Sequence, residues 1–151
     1  MRRKDWAVLY VGISHIEGFN EAYGFVAGDD VYRFAAMVLS DGVDERGTVD
    51  DFIGHAGTDD FVIITDLEHV DGIKEYIKER FNNEVGTFYS FRDRERGYII
   101  LKDGTGGETQ SPLMTLAIGS VNVNTTHFAD IREITEIAAE ERRKSSQARG
   151  G

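Results

Sequence analysis

Residues 50–66 read DDFIGHAGTDDFVIITD. Apolar runs at 52–56 and 61–65 flank the tetrad Gly57-Thr58-Asp59-Asp60. Short apolar runs on either side of a Gly/Asp cluster predict a β-hairpin closed by a tight turn. Such a tip holds the adjacent carboxylates of Asp59 and Asp60 at the edge of a sheet. Turn chemistry alone also accounts for them, because Asp and Gly dominate turns for local backbone reasons. Upstream, residues 6–13 (WAVLYVGI) are apolar on both alternating faces, which predicts a central strand buried on both sides.

Helical spacing follows that strand. Residues 16–23 fit one short helix in a segment that holds the turn-like Gly18 and Gly24. A second helix fits from Asp29 or Asp30 to Ser40, since Val31, Phe34, Ala35, Val38 and Leu39 share one face. Asp29 is placed to cap it, a carboxylate accepting orphan backbone N–H groups. Residues 41–49 read as an acidic connection. A third helix is predicted over 68–82 from Val70, Ile73, Ile77 and Phe81. Residues 87–91 and 97–102 read as strands joined by a charged turn, and 103–111 as a mobile Gly-rich loop. A strand over 113–123 and a helix from Asp130 complete the domain, with a polar tail over 140–151. The alternation predicts one α+β domain over residues 1–151, a sheet flanked by helices.

The chain has 151 residues and is 40% hydrophobic, with nine Phe and six Tyr, which suits one folded domain rather than disorder. Its formal net charge of −10 argues against nonspecific nucleic-acid binding, where phosphate neutralisation supplies most of the affinity. A nucleotide ligand would need local cations to offset repulsion. The longest apolar run, 7–13, is too short to span a bilayer, so no membrane contact is expected. No leader pattern is visible, and the cytoplasm is the expected compartment. Without cysteine there is no disulfide or thiolate metal site.

Three stretches taken together resemble one family. They are strand 6–13 followed by Asn20 and Tyr23-Gly24-Phe25-Val26-Ala27-Gly28-Asp29, then Gly57-Thr58-Asp59-Asp60-Phe61, then Met114-Thr115-Leu116-Ala117-Ile118-Gly119. The pattern is similar to the GGDEF domains, the diguanylate cyclases of bacterial cyclic di-GMP signalling. The resemblance implies a fold like the nucleotide cyclase and polymerase palm domains, a ferredoxin-like sheet flanked by helices. Active members join two GTP molecules, one bound by each domain of a homodimer. Carboxylates from adjacent strands hold Mg²⁺, which offsets triphosphate charge and activates the attacking hydroxyl.

Carried over position by position, the resemblance weakens at the chemistry. Gly12 replaces the aspartate that ligates metal on the first strand, and Ser14 stands at that motif's second aspartate. Ile13 still offers a backbone carbonyl. Asp59 retains the acidic metal-ligand position, and Asp60 stands one methylene short at the catalytic glutamate. Gly57 keeps the signature's first glycine. Thr58 replaces the second, where a positive φ would cost a β-branched residue about 1–2 kcal/mol. His55 takes the place of the preceding arginine. Asn20 and Asp29 fall on the base-reading positions, while a polar helix residue and a helix cap explain them equally well. The product-inhibition motif aligns with Thr48 and Asp51 and lacks its arginine. The late phosphate-binding lysine is absent, with Lys144 and Arg149 out of register.

Other signals carry less. Gly104-Thr105-Gly106-Gly107 lacks a Gly-Lys-Ser/Thr ending and does not open a helix, so it is not a phosphate loop. His15, His55, His69 and His127 form no metal-spaced pair. The reading expected from all this is a degenerate GGDEF signalling module without cyclase activity, with Mg²⁺ weak or absent. It would bind GTP or a related guanine nucleotide, or serve in dimerisation, beside an N-terminal sensor or response-regulator receiver. Two alternatives stay open: an active cyclase with an altered metal site, and a structural domain binding no nucleotide.

Overall fold

Trp6–Ser14 forms β1, and every residue from Ala7 to Ile13 is buried. Its run of apolar and β-branched side chains suits a strand covered on both faces. In the computed structural model, which describes residues 5–48, 51–56 and 60–123, β1 is the inner strand expected. Phe52–Ala56 (β2) and Asp60–Asp66 (β3) form the hairpin, and Thr115–Val123 is the last described strand, here β6. The sheet runs β2-β3-β1-β6 with every neighbour antiparallel. The helix expected from Asp130, the lead 1–4 and the hairpin tip 57–59 lie outside the described residues.

The period of two in β1 divides the core. Ala7, Leu9, Val11 and Ile13 face the described helices, Ile16–Tyr23 (α1), Phe25–Arg46 (α2) and Val70–Glu84 (α3). Phe19 of α1, Val31, Ala35, Val38 and Leu39 of α2, and Ile73, Ile77 and Phe81 of α3 are completely buried against them. Val8 and Tyr10 point the other way and cluster with Val62 and Ile64, with Trp6 and Val121 packed around them. No described helix is long and apolar enough to cross a membrane.

Several sequence expectations need correction. α2 starts at Phe25, so Asp29 lies in its second turn and caps nothing. Gly24, at φ 93°, ends α1 and restarts the chain as α2 with no side-chain cap. α2 also continues past Ser40 to Arg46, because Gly42 and Val43 are buried while Asp44 and Glu45 stay in solvent. An acidic composition marks that turn's outer face, not a break. α3 begins at Val70 after a single 3₁₀ turn, Leu67–His69.

The largest correction concerns residues 85–112. In place of a strand over 87–91 stand a 3₁₀ turn, Val85–Phe88, and a short helix, Phe91–Arg96 (α4). The Ser90 hydroxyl accepts from the Asp93 N–H at 3.2 Å, and Gly97 closes the helix in the left-handed region. The supposed mobile loop contains a strand, Glu108–Pro112 (β5), paired with Tyr98–Lys102 (β4). The Asp103 carboxylate organises the turn, accepting from Thr105 N–H at 2.9 Å and Gly107 N–H at 2.8 Å. These bonds, with that from the Thr105 hydroxyl, hold its pKa below the usual range. β5 is polar because most of its residues face solvent.

An aromatic cluster holds this unit to α1. Phe19 stacks on Tyr23 with centroids 4.8 Å apart, and Tyr89 meets Phe19 edge-on at 5.3 Å. The Tyr23 hydroxyl donates to Asp93, which Arg96 also holds, and accepts from the Ser90 N–H at 2.9 Å. The buried Tyr89 hydroxyl accepts from the Met114 N–H at 2.8 Å. Burial pushes its pKa from 10.0 up to about 12. The folded chain thus keeps a proton that the unfolded chain releases above pH 10. Tyr89 therefore contributes stability that is complete below pH 10 and lost as pH rises towards 12. Urea unfolding of the native protein and Tyr89→Phe from pH 9 to 12 should show a decline about 2–3 kcal/mol steeper in the native protein.

Candidate functional site

The hairpin register puts the chemical positions on one rung. Val11 pairs with Phe61, so one step further along the ladder residue 12 stands level with Asp60. On the flanking strands Gly12 pairs with Ala117, and Asp60 pairs with Ala56. Directly opposed residues point to the same face of an antiparallel pair, with Cβ atoms roughly 4.5–5.5 Å apart. A carboxylate at position 12 would therefore stand beside that of Asp60, the separation a shared cation needs. Gly12 supplies none. The half-buried Asp60 is the rung's acidic side chain, on the face that also carries Val62 and Ile64.

Among the described residues, no group of three or more His, Asp or Glu side chains could hold a metal ion. The described donors at this rung are Asp60 and the Ile13 carbonyl, too few for a dedicated Mg²⁺ cage, although Mg²⁺ often relies on few carboxylates plus water and substrate oxygens. Gly57, Thr58 and Asp59, the other residues expected at the tip, lie outside the described residues.

On the helix side, α1 and α2 meet where base recognition was expected. The Asn20 Oδ1 atom is buried and has no hydrogen-bond partner among the described residues. It lies against Gly28, where any Cβ would collide with it, so the small residue at 28 makes the site. Asp29 follows on α2 with its side chain in solvent. The turn between these helices presents Phe25 and Val26, 77% and 81% exposed, beside the pair. A buried, unsatisfied acceptor costs about 1–3 kcal/mol. Such a group is what a ligand N–H would satisfy. The resemblance singled out Asn20 and Asp29, but not the role of Gly28, which depends on how closely two helices approach.

Two further expected positions have local explanations. The Asp51 carboxylate accepts from the Thr48 N–H at 2.9 Å and its hydroxyl at 2.8 Å, closing a turn on itself. His55 is exposed, its ring 5.1 Å from that of Phe61. His15, between β1 and α1, adopts a left-handed backbone at φ 68°, costly for a residue with a Cβ.

No family model matches the sequence, and neither does any curated protein. Solved structures do. The active GGEEF domain of a diguanylate cyclase from Vibrio cholerae superposes with a TM-score of 0.68 at 17% identity, over 97% of this chain and 79% of that one. The GGDEF domain of DgcB from Caulobacter crescentus, in complex with c-di-GMP, gives 0.64 at 19% identity, over 97% and 74%. The chain has the GGDEF-domain fold. The FimX GGDEF domain from Pseudomonas aeruginosa is also similar, with a TM-score of 0.56 at 12% identity, over 97% and 77%. At these identities the likeness fixes architecture and leaves chemistry to individual residues.

If Asn20 is held ready for a ligand, removing its amide relieves an unpaired acceptor. Asn20→Ala should keep the free protein within about 1 kcal/mol of native stability in urea unfolding. A loss well above that would make Asn20 a structural residue.

Proposed function

We propose that this domain is a degenerate diguanylate-cyclase-like signalling module that binds a guanine nucleotide and does not turn it into cyclic di-GMP. Gly12 carries the reading. Phosphoryl transfer of this kind needs cations that bridge the reacting oxygens, held by carboxylates on adjacent strands. Glycine at that rung leaves one carboxylate where such a site needs two, and no metal-holding group of three acidic or histidine side chains stands among the described residues. Glu17 and Glu21, exposed on the first turns of α1, add negative charge close to the end of β1. A triphosphate approaching that end meets repulsion instead of a clamp.

Binding rests on Asn20 and Asp29. Guanine offers N–H groups on its Watson–Crick edge, which a carboxylate and an amide oxygen accept, while the amide NH₂ donates to the ring acceptors. The buried Asn20 oxygen supports this, because occupation would satisfy it. In this role the module acts by nucleotide occupancy, passing a state to a partner domain or to a second copy.

A second reading, an active cyclase with an altered metal site, is favoured by the retention of Asp60 and Asp59. Mg²⁺ supplies charge neutralisation when bound, and Asp60, Asp59 and the Ile13 carbonyl would hold it. Calorimetric titration with GTP, with and without Mg²⁺, followed by chromatography of the same sample, separates the two. Saturable binding without product is expected, and steady formation of cyclic di-GMP would overturn the proposal. Gly12→Asp should strengthen Mn²⁺ binding about tenfold, read by calorimetry, because it restores the carboxylate beside Asp60.

A further inference from the structure

A cleft of about 520 Å³ opens on the helix side of the sheet, where the end of β1 and the start of α1 face β5. It is within the size range of small-molecule sites. One wall is α1, with Glu17 and Glu21 one helical turn apart and both lining the opening. The other wall is the β4–β5 hairpin, with Leu101, Ser111 and Pro112. The walls are close at their base, since a Cβ on Gly18 would run into the Ser111 hydroxyl and pack against Leu101 at 3.7 Å. Ile16 adds a further apolar surface.

Three polar side chains of this cleft, Ser111, Glu17 and Glu21, are uncommitted among the described residues. Ser111 is 9% exposed, and among the described residues its side chain makes no hydrogen bond. Glu17 and Glu21 have no ion-pair partner among the described residues. Among the described residues no Lys or Arg lines the cleft. Two carboxylates at the rim, a buried hydroxyl below and apolar sides between them describe a receptor for positive charge on an apolar stem. An anion would meet repulsion with no compensating donor but Ser111 and the neighbouring polar groups.

We propose that this cleft binds an organic cation, a guanidinium or ammonium on an alkyl stem, with Glu17 and Glu21 pairing its charge and Ser111 its hydrogen bond. A guanidinium suits the carboxylates best, because its planar fork matches their geometry. Its stem lies against Ile16, Leu101 and Pro112. The same chemistry is carried by a free amine and by an arginine of a peptide. β5 pairs only with β4 among the described residues, so its second edge is open to an extended peptide.

The test is titration of the ¹⁵N-labelled protein with agmatine and with a capped pentapeptide alternating Val and Arg, at constant ionic strength. Saturable shifts at Glu17, Gly18, Glu21 and Ser111 are expected. Glu17→Gln/Glu21→Gln should weaken binding at least tenfold, whereas Asp44→Asn/Glu45→Gln, which removes the same charge from an exposed part of α2, should change it less than twofold. Ser111→Ala should weaken it severalfold without altering thermal stability. Equal affinity for the two probes assigns the site to a free cation. Tighter peptide binding, with amide shifts along residues 108–112, assigns it to a protein partner. Absence of saturation, or equal weakening by both charge variants, overturns the proposal.

Discussion

The double burial of β1 is the constraint on which the other elements depend. A strand with no polar face cannot be an edge, so it must find hydrogen-bonding neighbours on both sides and apolar cover on both faces. β3 and β6 meet the first demand, and the helices α1 to α3 meet the second on one face. The register that satisfies β1 then decides what stands at its end. Counting outward from the Val11–Phe61 pair brings residue 12 level with Asp60 without any further adjustment. Chemistry on this fold is therefore set by strand pairing, and a single glycine on β1 is enough to empty half of the rung.

Two costly features lie near the same end. His15 takes a left-handed backbone where β1 turns into α1, and Asn20 keeps a buried oxygen without a partner among the described residues. Each costs free energy in a protein whose total stability is a small difference of large terms. On the helices the core is uniformly apolar, with Phe19, Leu39, Ile73, Ile77 and Phe81 completely buried, whereas on β3 the buried Thr65 hydroxyl has no hydrogen-bond partner among the described residues.

The second unit, residues 85–112, shows how a helix becomes a wall. Tyr23 and Tyr89 carry ring contacts and polar ends together, so the unit is fastened both by aromatic packing and by the Ser90, Asp93 and Met114 hydrogen bonds. That fastening sets the distance between α1 and β5. Ser111 can approach Gly18 because glycine leaves the gap to the serine hydroxyl, and the cleft above them is a consequence of that spacing.

Much of this was legible in the residues. Seven consecutive apolar positions marked β1 as central, Gly/Asp punctuation located the hairpin, and 3.6-residue spacing found α1 and α3 almost to their ends, because those signals depend only on which residues face a core. The capping of α4 by Ser90 and Gly97 was also written in the chain, but the aromatic and charged residues between them read as a strand and a turn. Asp29 misled in the opposite way: a good cap by type, it lies inside α2, because Gly24 lets the helix start earlier. Sequence alone thus determined the hairpin, the sheet's inner strand and the helices α1 and α3, and it put a glycine at residue 12. Tertiary structure alone decided the pairing of Gly12 with the Asp60 rung, the contact of Asn20 with Gly28 and the cleft beside Ser111, because each depends on the approach of elements distant in the chain, which no local pattern encodes.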